Sequence, residues 1–222
     1  MPNNEKPDAA VPIDAAIDAP KIDAAPDANP CGNNRVVYIN FGGATINKAN
    51  TSDATQNDAS WPGAATVTMS AWGGSTTDQT AVVTQLQNTF TAVNPNIQIV
   101  TTAPTNGPYI MIGIGGNMNQ AGVQFTGAVN TLNCSDTNKS SLGWVFDGLS
   151  NAQTANFAAG AIGYGMGMGG TGNSNDCMCS WNSQCNPGGG ACTFSASVNT
   201  QNGCAGAANP QDDQAVLQAF CD

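Results

Sequence analysis

The chain of 222 residues contains no histidine, and its single glutamate is Glu5. A catalytic centre built on imidazole is therefore excluded in this chain, whether a nucleophile–His pair or a His-ligated metal. Beyond the N-terminal stretch no Glu is left to act as a general base. Charge is scarce too: 9% of residues are Asp, Glu, Lys or Arg, against about 25% in an ordinary soluble domain. Only five are cationic and the formal net charge is −10. No basic patch can form to neutralise nucleic-acid phosphates or to settle on an anionic membrane surface. Long apolar runs are missing as well. The uncharged stretch 157–170 is fourteen residues long and rich in glycine, too short for a transmembrane segment.

What is present is cysteine, and in quantity. Eight cysteines offer four disulfides, which suits an oxidising compartment: secreted, cell-surface or periplasmic. The candidates are Cys31, Cys134, Cys177, Cys179, Cys185, Cys192, Cys204 and Cys221. Structural zinc sites use paired C-x₂₋₄-C ligands, whereas here C-M-C is followed by lone cysteines, so disulfides are expected, with 105 possible connectivities. Residues 1–30 repeat IDAA, IDAP and IDAA among further Pro and Asp. They bury too little apolar surface to fold and read as a disordered Ala/Pro/Asp-rich tether. Extended at about 3.3 Å per residue, it spans roughly 100 Å. No apolar h-region of a signal peptide follows Met1, so a leader, and any lipidation it would direct, is expected to have been removed or to lie outside this sequence.

Residues 31–222 read as one folded domain. The run 35–41 (RVVYINF) predicts a buried strand, and the Asn/Thr/Asp/Ser-rich stretch 47–63 a loop. Ser75-x-x-Asp78 and Thr76-x-x-Gln79 are helix start signals. Val82, Val83, Leu86, Phe90 and Val93 then follow helical spacing until Asn94-Pro95. Strands are predicted at 97–101, 109–114, 123–129 and 143–147. A second helical stripe runs through Phe157, Ala158, Ala161, Ile162 and Met166, and a short helix closes the domain at 212–220. This order gives an α+β (mixed α/β) domain with one twisted mixed sheet, two long helices and a disulfide-rich C-terminal part.

The succession YINFGG, long helix, YIMIGIGG, GWVF, NFAAGAIGYGMGMGG and NDCM resembles the secreted zinc metalloproteases called metzincins. Their active-site helix carries H-E-x-x-H-x-x-G-x-x-H and is followed by a Met-turn. On this chain the motif falls on residues 160–170, GAIGYGMGMGG, with Gly163, Gly167 and Met168 at family-like positions and Met178 as the methionine of the Met-turn. The four positions that carry the chemistry are changed. Gly160, Ala161, Tyr164 and Gly170 stand where His, Glu, His and His would be. The resemblance thus implies a metzincin-like zincin fold and zinc, while the ligands for zinc and the carboxylate that activates water are absent. Against it, six glycines in 160–170 argue for a poorly helical segment of some other fold.

Other signals are weaker. The run 163–170 lacks the lysine of a phosphate-binding loop, and GGTGNSND (169–176) is one copy, not a calcium-binding repeat. Lys139-Ser140-Ser141 reads as a solvated lysine rather than a Ser–Lys dyad. Asp147 and Asp176 would have to approach each other for glycosidase chemistry. Trp61, Trp72 and Trp144 read as packed, and Trp181 as the most exposed tryptophan. The expectation is an exported, tethered pseudoprotease without catalytic residues, bound metal or cofactor. It would bind an extended peptide or surface protein along a sheet edge, at 109–116 or 123–129. An active hydrolase using Asp or a Cys-bound metal, and a purely structural surface module, remain the alternatives.

Overall fold

A computed structural model describes residues 35–124, 127–179, 185 and 189–219. The expected tether at 1–30, Cys31, Trp181, Phe220 and Cys221 lie outside the described residues. The described chain is a mixed α/β domain. Its strands are β1 (Arg35–Asn40), β2 (Ala44–Lys48), β3 (Asp58–Ala59), β4 (Thr66–Met69), β5 (Ile97–Val100), β6 (Ile110–Ile114), β7 (Ala128–Val129), β8 (Leu142–Val145), β9 (Gly170–Thr171) and β10 (Thr200–Asn202). Its helices are α1 (Thr76–Thr91), α2 (Met118–Ala121), α3 (Asn151–Gly165) and α4 (Asp213–Gln218).

The main sheet has the order β5-β1-β6-β8-β7. Its first four strands are parallel, and β7 runs antiparallel beside β8 with Ala128 opposite Val145. All five residues of β6 (IMIGI) are buried, as expected of a central strand covered on both faces. Alternation along the strands sends Val37, Ile39, Ile110, Ile112 and Ile114 to one face, where they pack with Val82, Leu86 and Phe90 of α1 and Ala158 and Ile162 of α3. Met111, Leu142 and Trp144 face the other way, onto Ile46, Val67 and Met69 of a small sheet ordered β3-β2-β4.

Local chemistry explains the helix boundaries. Ser75 caps α1, and Asp78 completes the reciprocal capping box, with Ser75 N–H to Oδ2 at 2.9 Å and Asp78 N–H to Oγ at 3.2 Å. Asn94 then anchors the far end, because its Nδ2 donates to the Leu217 carbonyl of α4 at 2.7 Å. Ser150 and Gln153 form the same box at the start of α3. That helix forms in spite of its glycines, since burial against the sheet outweighs about 1 kcal/mol of propensity lost at each one.

Three expectations need correction. The stretch 47–63 is not all loop: part of β2, and β3, lie in it, and β4 follows. Only alternate residues of this small sheet (Ile46, Val67, Met69) are buried, and polar neighbours mask the pattern. The expected strand at 123–129 contracts to β7, preceded by the four-residue α2. Of the two proposed sheet edges, 109–116 is central, because β6 lies between β1 and β8. Of the two segments only 123–129 holds an edge strand, β7; at the other end of the main sheet, among the described residues, the edge is β5.

Candidate functional site

Beside β7 is a pocket of about 60 Å³, room for a few water molecules or one short side chain. Its walls come from three places. Ala128, Val129 and Asn130 supply the sheet edge; Asn156, Phe157, Gly160, Ala161 and Tyr164 supply a half-buried face of α3. The turn 176–179 with Cys185 and Cys192 supplies the third wall.

Small residues let α3 and the turn come together. A Cβ on Gly160 would lie 2.7 Å from the Cys177 carbonyl oxygen, and one on Gly163 would overlap the Met178 sulfur. Met178 itself is wholly buried. The helix then ends in a Schellman cap. Gly167, at φ +89°, donates to the Tyr164 carbonyl at 3.1 Å, and Met168 N–H donates to that of Gly163 at 3.0 Å.

The turn is fixed from every side. Asp176 Oδ1 accepts from Met178 N–H at 2.7 Å, and Cys179 N–H donates to the Asp176 carbonyl at 3.0 Å. Cys177 is bonded to Cys192, and Cys179 to Cys185. Asn156 ties the neighbouring wall to both helices: its Oδ1 accepts from Gln85 Nε2 of α1 at 2.8 Å and from Cys192 N–H at 3.0 Å. Asn130 Nδ2 donates to the Ala161 carbonyl at 2.7 Å, joining β7 to α3. The side-chain amides of Asn130 and Asn156 and the Asp176 carboxylate are thus engaged, which leaves an interior dominated by Phe157, Ala161, Tyr164, Met178 and two disulfides.

Of the positions singled out from sequence, the fold brings Gly160, Ala161, Tyr164 and Met178 to this pocket. Gly170 does not line it; it is buried in β9, opposite Asn202 of β10. A zinc ion is not matched by what is here, because Gly160 and Gly170 have no side chain, Ala161 has a methyl group and Tyr164 a phenol. Six of the candidate cysteines are disulfide-bonded, the third pair being Cys134–Cys204. Those six have no thiolate to offer a metal. Asp176 is not paired with Asp147; the carboxyl that meets it is Asp213 of α4. Nor is Lys139 simply solvated, since its Nζ lies 2.6 Å from the buried Asp136. Sequence reasoning missed Asn130, Asn156 and Asp213. Asp212-Asp213 at a helix start was visible, but only as a cap.

Gly160→Ala is expected to lower stability by about 1–3 kcal/mol in urea denaturation. Helix propensity alone would raise it by about 1 kcal/mol, but the added methyl meets a backbone carbonyl held by a disulfide. A stabilised variant would show that the turn gives way.

Fold and site together define a disulfide-bonded α+β domain with an apolar pocket beside a sheet edge. No protein-family model matches this chain, and comparison with curated proteins finds no match.

Proposed function

We propose that this is a metzincin-like domain that has lost its catalytic centre and binds an extended peptide along β7, with one apolar side chain in the pocket. The observation that carries the reading is that three positions of the altered motif, Gly160, Ala161 and Tyr164, meet Met178 in one pocket beside the edge strand. Backbone pairing with an edge strand needs no catalytic side chain, and the pocket supplies selectivity for the residue that enters it. The disulfides support export. In this reading residues 1–30 hold the domain away from a surface. Among the described residues no helix is long and apolar enough to cross a membrane.

The test uses fluorescein-labelled hexapeptides of Ala and Thr carrying a single central Leu, Ala or Asp, titrated into the oxidised protein. Fluorescence anisotropy is expected to show binding of the Leu peptide, with Ala161→Leu weakening it at least tenfold by filling the pocket. That ratio follows from about 1.5–3 kcal/mol for burying a Leu side chain. The same peptides should remain uncleaved by mass spectrometry. No binding by any of them would leave the structural-module reading. Cleavage, or one tightly held zinc per chain in elemental analysis, would favour the hydrolase.

A further inference from the structure

Behind the pocket wall two carboxyl groups are buried together. Asp176 is 2% exposed and Asp213 is fully covered. Asp176 heads the turn that carries Met178, and Asp213 is the first residue of α4. Both Asp176 oxygens are engaged as acceptors: Oδ1 from Met178 N–H at 2.7 Å and Oδ2 from Ser195 N–H at 3.0 Å. Asp213 Oδ1 accepts from the side-chain amide of Gln211, and Asp213 N–H donates to the Ser195 carbonyl at 3.0 Å. Asp213 Oδ2 receives no N–H or O–H from any described residue. Ser195 bridges the two residues, its N–H on the Asp176 carboxylate and its carbonyl on Asp213 N–H, and this brings the two carboxyls together.

Two buried carboxylates side by side repel, and a buried carboxylate oxygen with no donor is costly. A single proton removes both penalties. Both Asp176 oxygens already accept a backbone donor whereas Asp213 Oδ2 has none, so the proton belongs on Asp213 Oδ2. We propose that Asp213 donates this proton to Asp176, and that the shared proton is a pH-dependent lock fastening α4 to the turn that walls the pocket. The lock acts on the wall whatever the pocket binds.

Its working range follows from the surroundings. Burial is the main cause that pushes the Asp213 carboxyl up to about 7. The Gln211 amide opposes the rise, while the charges of Asp176 and Asp212 add to it. Among the described residues the charged groups that act on Asp213 are Asp176 on the turn and Asp212 at the cap of α4; the 195 and 211 segments contribute neutral groups. An Asp in the unfolded chain titrates near 3.9. Between about pH 4 and 7 the folded protein therefore binds more protons, so stability falls as pH rises through that window and levels off above it.

The experiment follows the side-chain carboxyl ¹³C resonances of the oxidised full chain from pH 4 to 9, with thermal unfolding of wild type and Asp213→Asn at the same pH values. The Asp213 carbon is expected to titrate with a midpoint between about 6 and 8. The wild-type Tm should fall by roughly 5–10 °C from pH 5 to 8.5. The variant should fall by less than half as much, since its amide N–H replaces the shared proton. Met178 and Ser195 amides in the wild type should lose exchange protection over the same range, after correction for the intrinsic rate. Titration of Asp213 below pH 5, equal Tm slopes in the two proteins, or unchanged protection at Met178 and Ser195 would each overturn the proposal. If the variant does not fold, the wild-type titration and exchange decide.

Discussion

Replacing Cys134 and Cys204 by Ser should lower stability by about 4 kcal/mol and the Tm by roughly 10 °C, measured by urea and thermal denaturation of the otherwise oxidised chain. The bond joins residues 70 apart in sequence. Loop-closure entropy for a span of that length gives the figure. The location adds to the effect. Residues 199–210 contribute no side chain to either hydrophobic core cluster. Their described anchors are few: this disulfide, the short β10–β9 pairing and the Val198–Gln211 bridge. Exchange protection at Val198 and Gln211 should fall first in the double variant. A loss below about 1 kcal/mol would mean that the segment is held by other contacts.

Asp136→Ala should be comparably severe, about 3–5 kcal/mol. Asp136 and Arg35 are both buried, with Nη2 2.9 Å from Oδ1, and Lys139 Nζ lies 2.6 Å from Oδ2. Deleting the carboxylate leaves the Arg35 guanidinium charged in a buried place without that partner. The residue also holds a left-handed backbone, φ +47°, which Ala tolerates less well than Asp. Removing both charges in Arg35→Met, Asp136→Leu should destabilise less than Asp136→Ala alone, because an apolar pair asks for no compensation. If Asp136→Ala and the double variant were equally unstable, packing rather than charge would hold this corner. Cys134 and Asp136 share one 3₁₀ turn. Combining the two sets of substitutions should therefore give less than the sum of their effects.

Much of the local structure is legible in the chain. Ser75-x-x-Asp78 marks the start of α1 because the side chains that cap a helix must sit three residues apart. Asn117-x-x-Gln120 carries the same signature for α2 and was available to find it. The small sheet was harder to see, because Thr, Asn and Ala dominate β2 and β4, and their pairing joins remote residues, from Asn47 with Thr66 to Ala44 with Met69. Helix α3 was ambiguous for a different reason. Its glycines weaken it in isolation, and what makes it form is the sheet and the turn packed against it.

For the candidate site the division is similar. Gly160, Ala161, Tyr164 and Met178 could be named from their order along the chain, whereas Gly170 belongs to β9 and stands outside the pocket. Asn156 joining α1 to Cys192, and Asp213 meeting Asp176, are juxtapositions of residues tens of positions apart, and no local pattern announces them.

The sequence by itself determined what this protein cannot use: without histidine, and with its one glutamate at position 5, the chemistry of an imidazole centre is closed to it. It also determined the capped start of α1 and the presence of apolar strands at 35–41 and 109–114, because these depend on spacing within a few residues. The tertiary structure alone decided which cysteines pair, which strands lie at the centre and edges of the main sheet, and that Asp213 lies buried near Asp176. Each of those depends on distances between remote segments, which packing sets and adjacency along the chain does not.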